Sequence, residues 1–203
     1  MIRYYLLFIC SVFFLASCNQ KQMKISRAGA SIQTEMTDFS PAYIEKTAQG
    51  EAKLNDNNLI GNTHWVISAE RDLTLEQIAP FLQQLTDKKY SKEGMHPDDK
   101  DIYFVYSDTV NKQNAYVKMP FKSVEIDFPS IPPKDKSTVF NIMVVSLPNF
   151  IESTDIYLEI KRENQLMHVS VNKKMSIEEF VSILIEIQNK NLNTTIDERI
   201  SIL

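Results

Sequence analysis

The fold class is decided by residues 63–85, whose sequence is THWVISAERDLTLEQIAPFLQQL. Apolar and more polar residues alternate along its first part, which predicts a strand buried mainly on one face. The apolar members are Trp65, Ile67 and Ala69. A helix is predicted to follow, because Thr74 and Gln77 have the spacing of a capping box. Its apolar stripe consists of Leu75, Ile78, Leu82 and Leu85.

A second segment, residues 167–187 (MHVSVNKKMSIEEFVSILIEI), repeats this order of features. A strand pattern leads through a charged turn to Met175 and to a helix cap at Ser176, with Glu179 completing a capping box. Aligned on their caps, the segments match Leu73 with Met175, Thr74 with Ser176, Leu75 with Ile177, Ile78 with Phe180 and Leu82 with Leu184. Duplication of one unit and independent formation of two strand-to-helix turns both account for the match. Either way, the two strand-helix-strand units predict an α+β fold, a mixed sheet with two capped helices packed on it.

The remaining sequence predicts further strands within a single domain over residues 38–203. Strand patterns occur at residues 102–107, 115–119, 123–128, 139–147, 156–161, 166–171 and 199–203. The run at 139–147 is the most continuously apolar, which is typical of a central strand buried on both faces. Residues 156–161 are predicted to form a hairpin with residues 166–171. Ser40 and Pro41 predict a helix cap and first turn, opening a short helix to about residue 48.

The N-terminal residues predict a processed, lipid-anchored protein. Arg3 precedes an apolar run at residues 6–15, which is too short for a membrane-spanning helix of about 20 residues. The run ends in Leu15-Ala16-Ser17-Cys18, which resembles the lipobox of bacterial lipoproteins. That resemblance implies removal of residues 1–17 and acylation of Cys18 with a diacylglycerol, often with an additional amide-linked chain such as palmitate. Two or more acyl chains anchor a protein stably, so the lipid bilayer is a predicted partner.

An ordinary secretory signal that ends in a cysteine by chance is the alternative. In the lipoprotein, Cys10 leaves with the leader and acylation occupies the sulfur of Cys18, so no disulfide is expected and no cofactor is indicated. The chain has 22 basic and 26 acidic residues, a balance that disfavours nucleic acid as a partner. Residues 18–37 are polar and aperiodic, which predicts a flexible spacer between the lipid and the domain.

One cluster of side chains is a candidate metal site in a charged loop predicted at residues 88–100 and just beyond it. Imidazole and carboxylate groups are the ligand types that divalent metals use. The cluster consists of His96, Asp98, Asp99 and Asp101. A charged loop between a helix and a strand is usually solvated, however, and no second histidine lies at ligand spacing. Lysines 88, 89 and 92 alternate with polar and acidic residues and are interpreted as solvated surface.

Two histidines form a second candidate, since His64 and His168 occupy equivalent strands in the two units. A shared site and two half-exposed structural histidines are both compatible with the pattern. The chain contains no Gly-x-Ser-x-Gly elbow, and its four glycines form no phosphate-binding loop. The sequence therefore names no reaction.

The order hairpin, helix and strand at residues 156–203 resembles the periplasmic domain of the ExbD/TolR family, which couples inner-membrane proton flow to work at the outer membrane. Members of that family keep a membrane helix with an essential aspartate, whereas the apolar run at residues 6–15 contains no carboxylate. The resemblance implies a likeness of fold and carries over no functional residue.

Together these features predict a lipoprotein of the bacterial cell envelope with a non-enzymatic binding or assembly role. The resemblance to lipoproteins also implies a location, since Asn19 does not match the aspartate that retains some lipoproteins at the inner membrane. This favours the outer membrane, with the domain facing the periplasm. An envelope protein is the expected partner. The alternatives are a metal-dependent hydrolase of envelope material built around His96, and an ExbD/TolR-like protein-contact module.

Overall fold

The computed structural model describes residues 23–90, 100–127, 139–161 and 165–203. These residues have the predicted α+β fold, with helices packed on two sheets. The strands are β1 Arg27–Ala28, β2 Phe39–Lys46, β3 Ala52–Asn55, β4 His64–Ala69, β5 Ile102–Asp108, β6 Gln113–Lys118, β7 Ser123–Ile126, β8 Val139–Val144, β9 Leu166–Val171 and β10 Ile196–Ile202. The helices are α1 Leu75–Tyr90, α2 Leu147–Ile160 and α3 Ile177–Asn189, and a short 3₁₀ turn covers Leu192–Thr194.

The first sheet is mixed and contains the first predicted unit. Strands β2, β4 and β5 run parallel, with β4 in the middle, and α1 connects β4 to β5. Antiparallel strands cover both sides, because β3 pairs with β2 and β6 pairs with β5. Strand β6 pairs along one edge of β5. The other edge of β5 pairs first with β4 and then, beyond the end of β4, with β1.

The second sheet is entirely parallel, in the order β7-β10-β9-β8. Helix α2 connects β8 to β9, and α3 connects β9 to β10. Strands β8, β9 and β10 therefore correspond to β2, β4 and β5, and α3 corresponds to α1.

The two units are joined where α1 and α3 begin. The N–H of Leu75 donates to the carbonyl of Met175, and the N–H of Ile177 donates to the carbonyl of Leu73, each at 2.9 Å. These residues are the ones that the sequence alignment matches, and the bonds form an antiparallel bridge between the two cap residues. First-turn N–H groups have no acceptor within their own helix, so each unit supplies the acceptor that the other one lacks.

A common apolar core forms between the units. Helix α1 packs against β7 and β10 of the second sheet, and α3 packs against β6 of the first. Phe104 of β5 meets Phe180 of α3 edge to face, with ring centroids 5.9 Å apart. The predicted stripe of α1, namely Leu75, Ile78, Leu82 and Leu85, is confirmed as buried. Helix α3 buries a corresponding stripe of Ile177, Phe180, Val181, Leu184 and Ile187.

The helix predicted from Ser40 and Pro41 is wrong, because these residues belong to strand β2. Ser40, Ala42 and Ile44 alternate with less buried neighbours, as in a strand with one buried face. Pro41 has no N–H to donate to a sheet, and it lies where β2 has β4 on one side, before its pairing with β3 begins at Tyr43.

The strands predicted at residues 139–147 and 156–161 are also corrected. β8 ends at Val144 and lies at the end of its sheet, with Ile142 buried and Met143 exposed, so it is not a central strand buried on both faces. Residues 156–160 belong to α2, and β9 pairs in parallel with β8 and β10, so no hairpin precedes α3. Ser146 caps α2 and proline follows in its first turn, a helix signal that the apolar run around it obscures.

Part of the predicted spacer is fixed on the first sheet. The carbonyl of Lys24 accepts from Arg71, the carbonyl of Ser26 accepts from Ser107, and β1 follows. Residues 88–90, which the sequence assigns to the charged loop, belong to α1 instead. Lys89 is buried rather than solvated, and its Nζ donates to the carbonyl of Thr63 at 2.7 Å and lies 4.8 Å from the centre of the Trp65 ring.

Candidate functional site

Most of the predicted metal cluster lies outside the described part of the chain, so it stays a prediction. His96, Asp98 and Asp99 lie outside that part, as does the predicted lipidation site Cys18. The carboxylate of Asp101 accepts from Lys118 Nζ at 2.6 Å, and its backbone N–H donates to His64 Nδ1 at 3.1 Å. The described residues contain no group of three His, Cys, Asp or Glu side chains placed to hold a metal ion.

His64 is positioned by its neighbours as a neutral side chain. Because its Nδ1 accepts a hydrogen bond, the ring proton is assigned to Nε2. Burial lowers the pKa of His64, and the positive charge of Lys100 lowers it further. His64 lies in the first sheet and His168 in the second, each with its own partners. The predicted shared histidine site is therefore not formed.

His168 lies in a buried polar network of the second sheet. Its Nδ1 is 3.3 Å from Asp197 Oδ2, and its Nε2 is 3.0 Å from Ser201 Oγ. Arg199 Nη2 donates to the same Asp197 oxygen at 2.8 Å. Burial alone would raise the pKa of Asp197, but hydrogen bonds and charge from Arg199, with a contribution from His168, outweigh burial and lower that pKa. His168 is only 5% exposed, so the expectation of a half-exposed histidine is wrong.

The network has the three residue types of a hydrolytic triad, but it lacks an accessible nucleophile. Ser201 is fully buried, with 0% of its surface exposed, and a serine must reach its substrate to act as a nucleophile. The arrangement instead satisfies polar groups inside the fold. Sequence reasoning missed it because its partners come from strands about thirty residues apart. The alternation of Asp197, Arg199 and Ser201 along one strand was the available signal.

A second polar feature is a cavity of about 340 Å³ near the junction of β6 and β7. Its charged groups pair with one another, because Lys118 binds Asp101 and Lys122 binds Glu198, each at 2.6 Å. Burial raises the pKa of the Tyr90 hydroxyl at its edge, and the charge of Asp101 raises it further. With the charges balanced, this cavity selects neither an anion nor a cation.

The third feature is an open groove along the outer side of α2, with a volume of about 530 Å³. We call it the α2 surface. Its lining residues are Leu147, Pro148, Ile151, Glu152, Asp155, Ile156 and Glu159. Apolar and acidic side chains alternate around the turns of one helix, so the groove presents apolar surface with carboxylates on the same stretch. These lining residues offer apolar area and carboxylate charge for contact with another molecule.

Helix α2 is held firmly beneath this surface. Its inner side buries Phe150, Thr154 and Tyr157. The Leu147 N–H donates to Glu179 Oε1 of α3 at 2.9 Å, so Glu179 binds the start of α2 instead of closing its own capping box. At the other end, the Tyr157 hydroxyl donates to the carbonyl of Gln165 at 2.6 Å. The α2 surface is therefore preformed.

Lys190, at the C-cap of α3, adds a third attachment. Its Nζ donates to Thr154 Oγ1 at 2.9 Å and to the carbonyl of Ile151 at 3.3 Å, and it pairs with Asp155. One lysine thus satisfies three oxygens of α2 and neutralises one of its three carboxylates.

Comparison with known proteins adds no family or functional assignment. The chain matches no protein-family model, and no curated protein or solved structure shows significant similarity to it. In the described part, no helix has both the length and the apolar character needed to cross a membrane.

Proposed function

We propose that this protein is a lipid-anchored lipoprotein of the bacterial envelope, with a non-enzymatic role in which the domain binds a partner protein through the α2 surface. The binding role rests on one observation. Six of the nine large apolar side chains that are exposed in the described residues lie in the segment from β8 to the start of β9. They are Met143, Val145, Ile156, Leu158, Ile160 and Leu166, of which Ile156 lines the α2 surface and Leu158 and Ile160 belong to the same helix. Concentrated exposed apolar surface is typical of a protein contact site.

The anchor in this proposal is Cys18, because Leu15-Ala16-Ser17-Cys18 has the lipobox pattern. Acylation of that residue would hold the domain at the outer membrane, facing the periplasm. The alternative of a metal-dependent hydrolase depends on His96 and its neighbours, and the polar groups of the described residues give it no support. The alternative of an ExbD/TolR-like contact module shares the binding role, although the hairpin on which that resemblance relied is not formed.

Mass spectrometry of the native protein tests the anchor. We expect an N-terminus at residue 18 with a diacylglycerol on sulfur, and recovery of the protein with the membrane fraction. The Cys18→Ala protein should lose both the modification and the cleavage at that position. An unmodified Cys18 on protein from the aqueous fraction would contradict the lipoprotein.

Crosslinking and capture from solubilised membranes tests the binding role. The Ile156→Ser/Ile160→Ser variant should lose the captured partner, because it removes apolar area from the helix. The matched control is Ile60→Ser/Val110→Ser, which removes similarly exposed side chains elsewhere. Equal capture by both variants would remove the support for a contact site on α2.

A further inference from the structure

We propose that the partner segment on the α2 surface is a cationic amphipathic helix, an inference that rests on the proposed function. The negative charge of α2 indicates a cationic partner. Helix α2 contains Glu152, Asp155 and Glu159 and no lysine or arginine between its first and last residues. Asp155 is paired with Lys190, whereas Glu152 and Glu159 are exposed and make no ion pair with a described residue. They lie seven residues apart, which places both on one side of the helix, two turns from each other.

Apolar surface lies between these carboxylates and continues toward both ends of the helix. Ile156 lies between Glu152 and Glu159 and is 47% exposed, and Ile160 follows one turn later at 56%. Pro148 and half-buried Ile151 extend the apolar strip toward the start of the helix. A complementary helix must bring apolar side chains to the strip and cations to its edges, which is the pattern of a basic amphipathic helix docking into a groove.

The negative charge of the α2 surface excludes the bilayer as its occupant. Helices that lie on membranes carry lysine and arginine beside their apolar face, because anionic headgroups attract cations. The α2 surface has the opposite sign, so Glu152 and Glu159 would be repelled by an anionic lipid surface. The same two carboxylates attract a cationic peptide, which makes a polypeptide segment the favoured occupant.

The position of α2 is fixed by the rest of the domain. Contacts from Glu179, Lys190 and Tyr157 hold α2 in place before any partner arrives. A preformed surface requires little rearrangement on binding. Affinity should therefore depend on the partner's sequence pattern rather than on folding of this domain.

Fluorescence anisotropy with synthetic peptides provides the test, using the mature lipoprotein in phosphatidylcholine nanodiscs with empty nanodiscs as the blank. The first probe is a peptide with leucines at i, i+3, i+4 and i+7 and lysines at the flanking positions, and the second has glutamates in place of the lysines. We expect the lysine peptide to bind about ten-fold or more tightly than the glutamate peptide. Its affinity should fall as salt is added.

Two variants tie this binding to the α2 surface. Glu152→Gln/Glu159→Gln should weaken the lysine peptide by about two- to ten-fold, as expected for two exposed ion pairs. Glu45→Gln/Glu51→Gln removes two exposed carboxylates from the first unit and should leave the affinity unchanged. The proposal of a cationic partner is wrong if both peptides bind equally or if the α2 substitutions have no effect. It is also wrong if the protein associates with anionic vesicles in preference to the lysine peptide.

Failure of this inference can be told apart from failure of the proposed function. If partner capture depends on Ile156 and Ile160 while the peptide shows no preference for charge, the contact site stands and the cationic helix is wrong. If capture does not depend on those isoleucines, the binding role itself fails.

Discussion

The two units differ most in the segment that links their first two parallel strands. In the first unit this link contains β3, which returns along β2 and covers its outer edge. In the second unit the link is α2, which packs on the face of β8, and the described residues place a strand on only one side of β8. The shared parts are the parallel strands, the capped helix and the junction between the caps. Three of the exposed apolar side chains, Ile156, Leu158 and Ile160, thus lie in the element that the units do not share.

The shared parts also make the units depend on each other. Each helix start relies on an acceptor from the other unit, and the Phe104–Phe180 contact crosses between them. In contrast, side-chain bonds from Glu179 and Lys190 attach α2 to the second unit. The scaffold should therefore unfold as one body.

The largest expected effect comes from Phe180→Ala and its counterpart Ile78→Ala. Both side chains are at most 1% exposed, and truncating such residues costs about 2–5 kcal/mol of the free energy of unfolding, because contacts are lost and a cavity remains. Urea denaturation followed by circular dichroism should show one transition for each variant, moved to lower urea. The exposed-site substitution Ile60→Ala is the control and should leave the midpoint nearly unchanged.

A different outcome would show that the two units unfold independently. If Phe180→Ala produced two transitions, one at the wild-type midpoint, the first unit would be stable without the second. The two units would then be independent, and the reciprocal bonds between the helix caps would contribute little to the free energy of unfolding.

The next effect concerns the polar network of the second unit. Asp197→Asn keeps the size of the side chain but removes the charge that Arg199 binds, so we expect a loss of about 1–3 kcal/mol at neutral pH. The pKa of Asp197 is lowered in the folded state. Its contribution is therefore fully present above the unfolded pKa of about 4 and is lost as pH falls through the lower folded value.

Denaturation midpoints measured from pH 7 down to pH 3 would check this sign. The difference between the wild type and Asp197→Asn should be largest at neutral pH and should shrink below about pH 4. Asp72→Asn, in which an exposed carboxylate changes, should follow the wild type throughout. A difference that grew toward low pH would contradict the lowered pKa.

The shared parts could be predicted from the sequence because their signals are local. Thr74 and Ser176 stand before regular apolar stripes, and strands with one buried face alternate clearly, so α1, α3 and β4 form where the patterns predict. The reciprocal contact between the caps could not be predicted, because an alignment shows that two segments are alike without showing that they touch.

The unshared parts were harder to predict because competing patterns overlap there. Residues 139–147 are mostly apolar, and an apolar run is compatible with a strand or a helix. Pro41 had the position of a first-turn proline, but tertiary pairing with β4 made it a strand residue. The α2 surface was missed for the same reason, since its apolar and acidic residues form a surface only once residues 147–160 are known to be helical.

The smallest expected change in stability comes from the caps of the equivalent helices α1 and α3, which are built differently. In α3, Ser176 Oγ accepts from the Glu179 N–H at 3.2 Å, so Ser176→Ala should cost about 1 kcal/mol. In α1, the Thr74 N–H donates to Gln77 Oε1 at 3.0 Å, and the Thr74 hydroxyl makes only a 3.4 Å contact to the same oxygen. We therefore expect Gln77→Ala to destabilise the protein more than Thr74→Ala does. Equal losses for Thr74→Ala and Ser176→Ala in urea denaturation would mean that the two caps work in the same way.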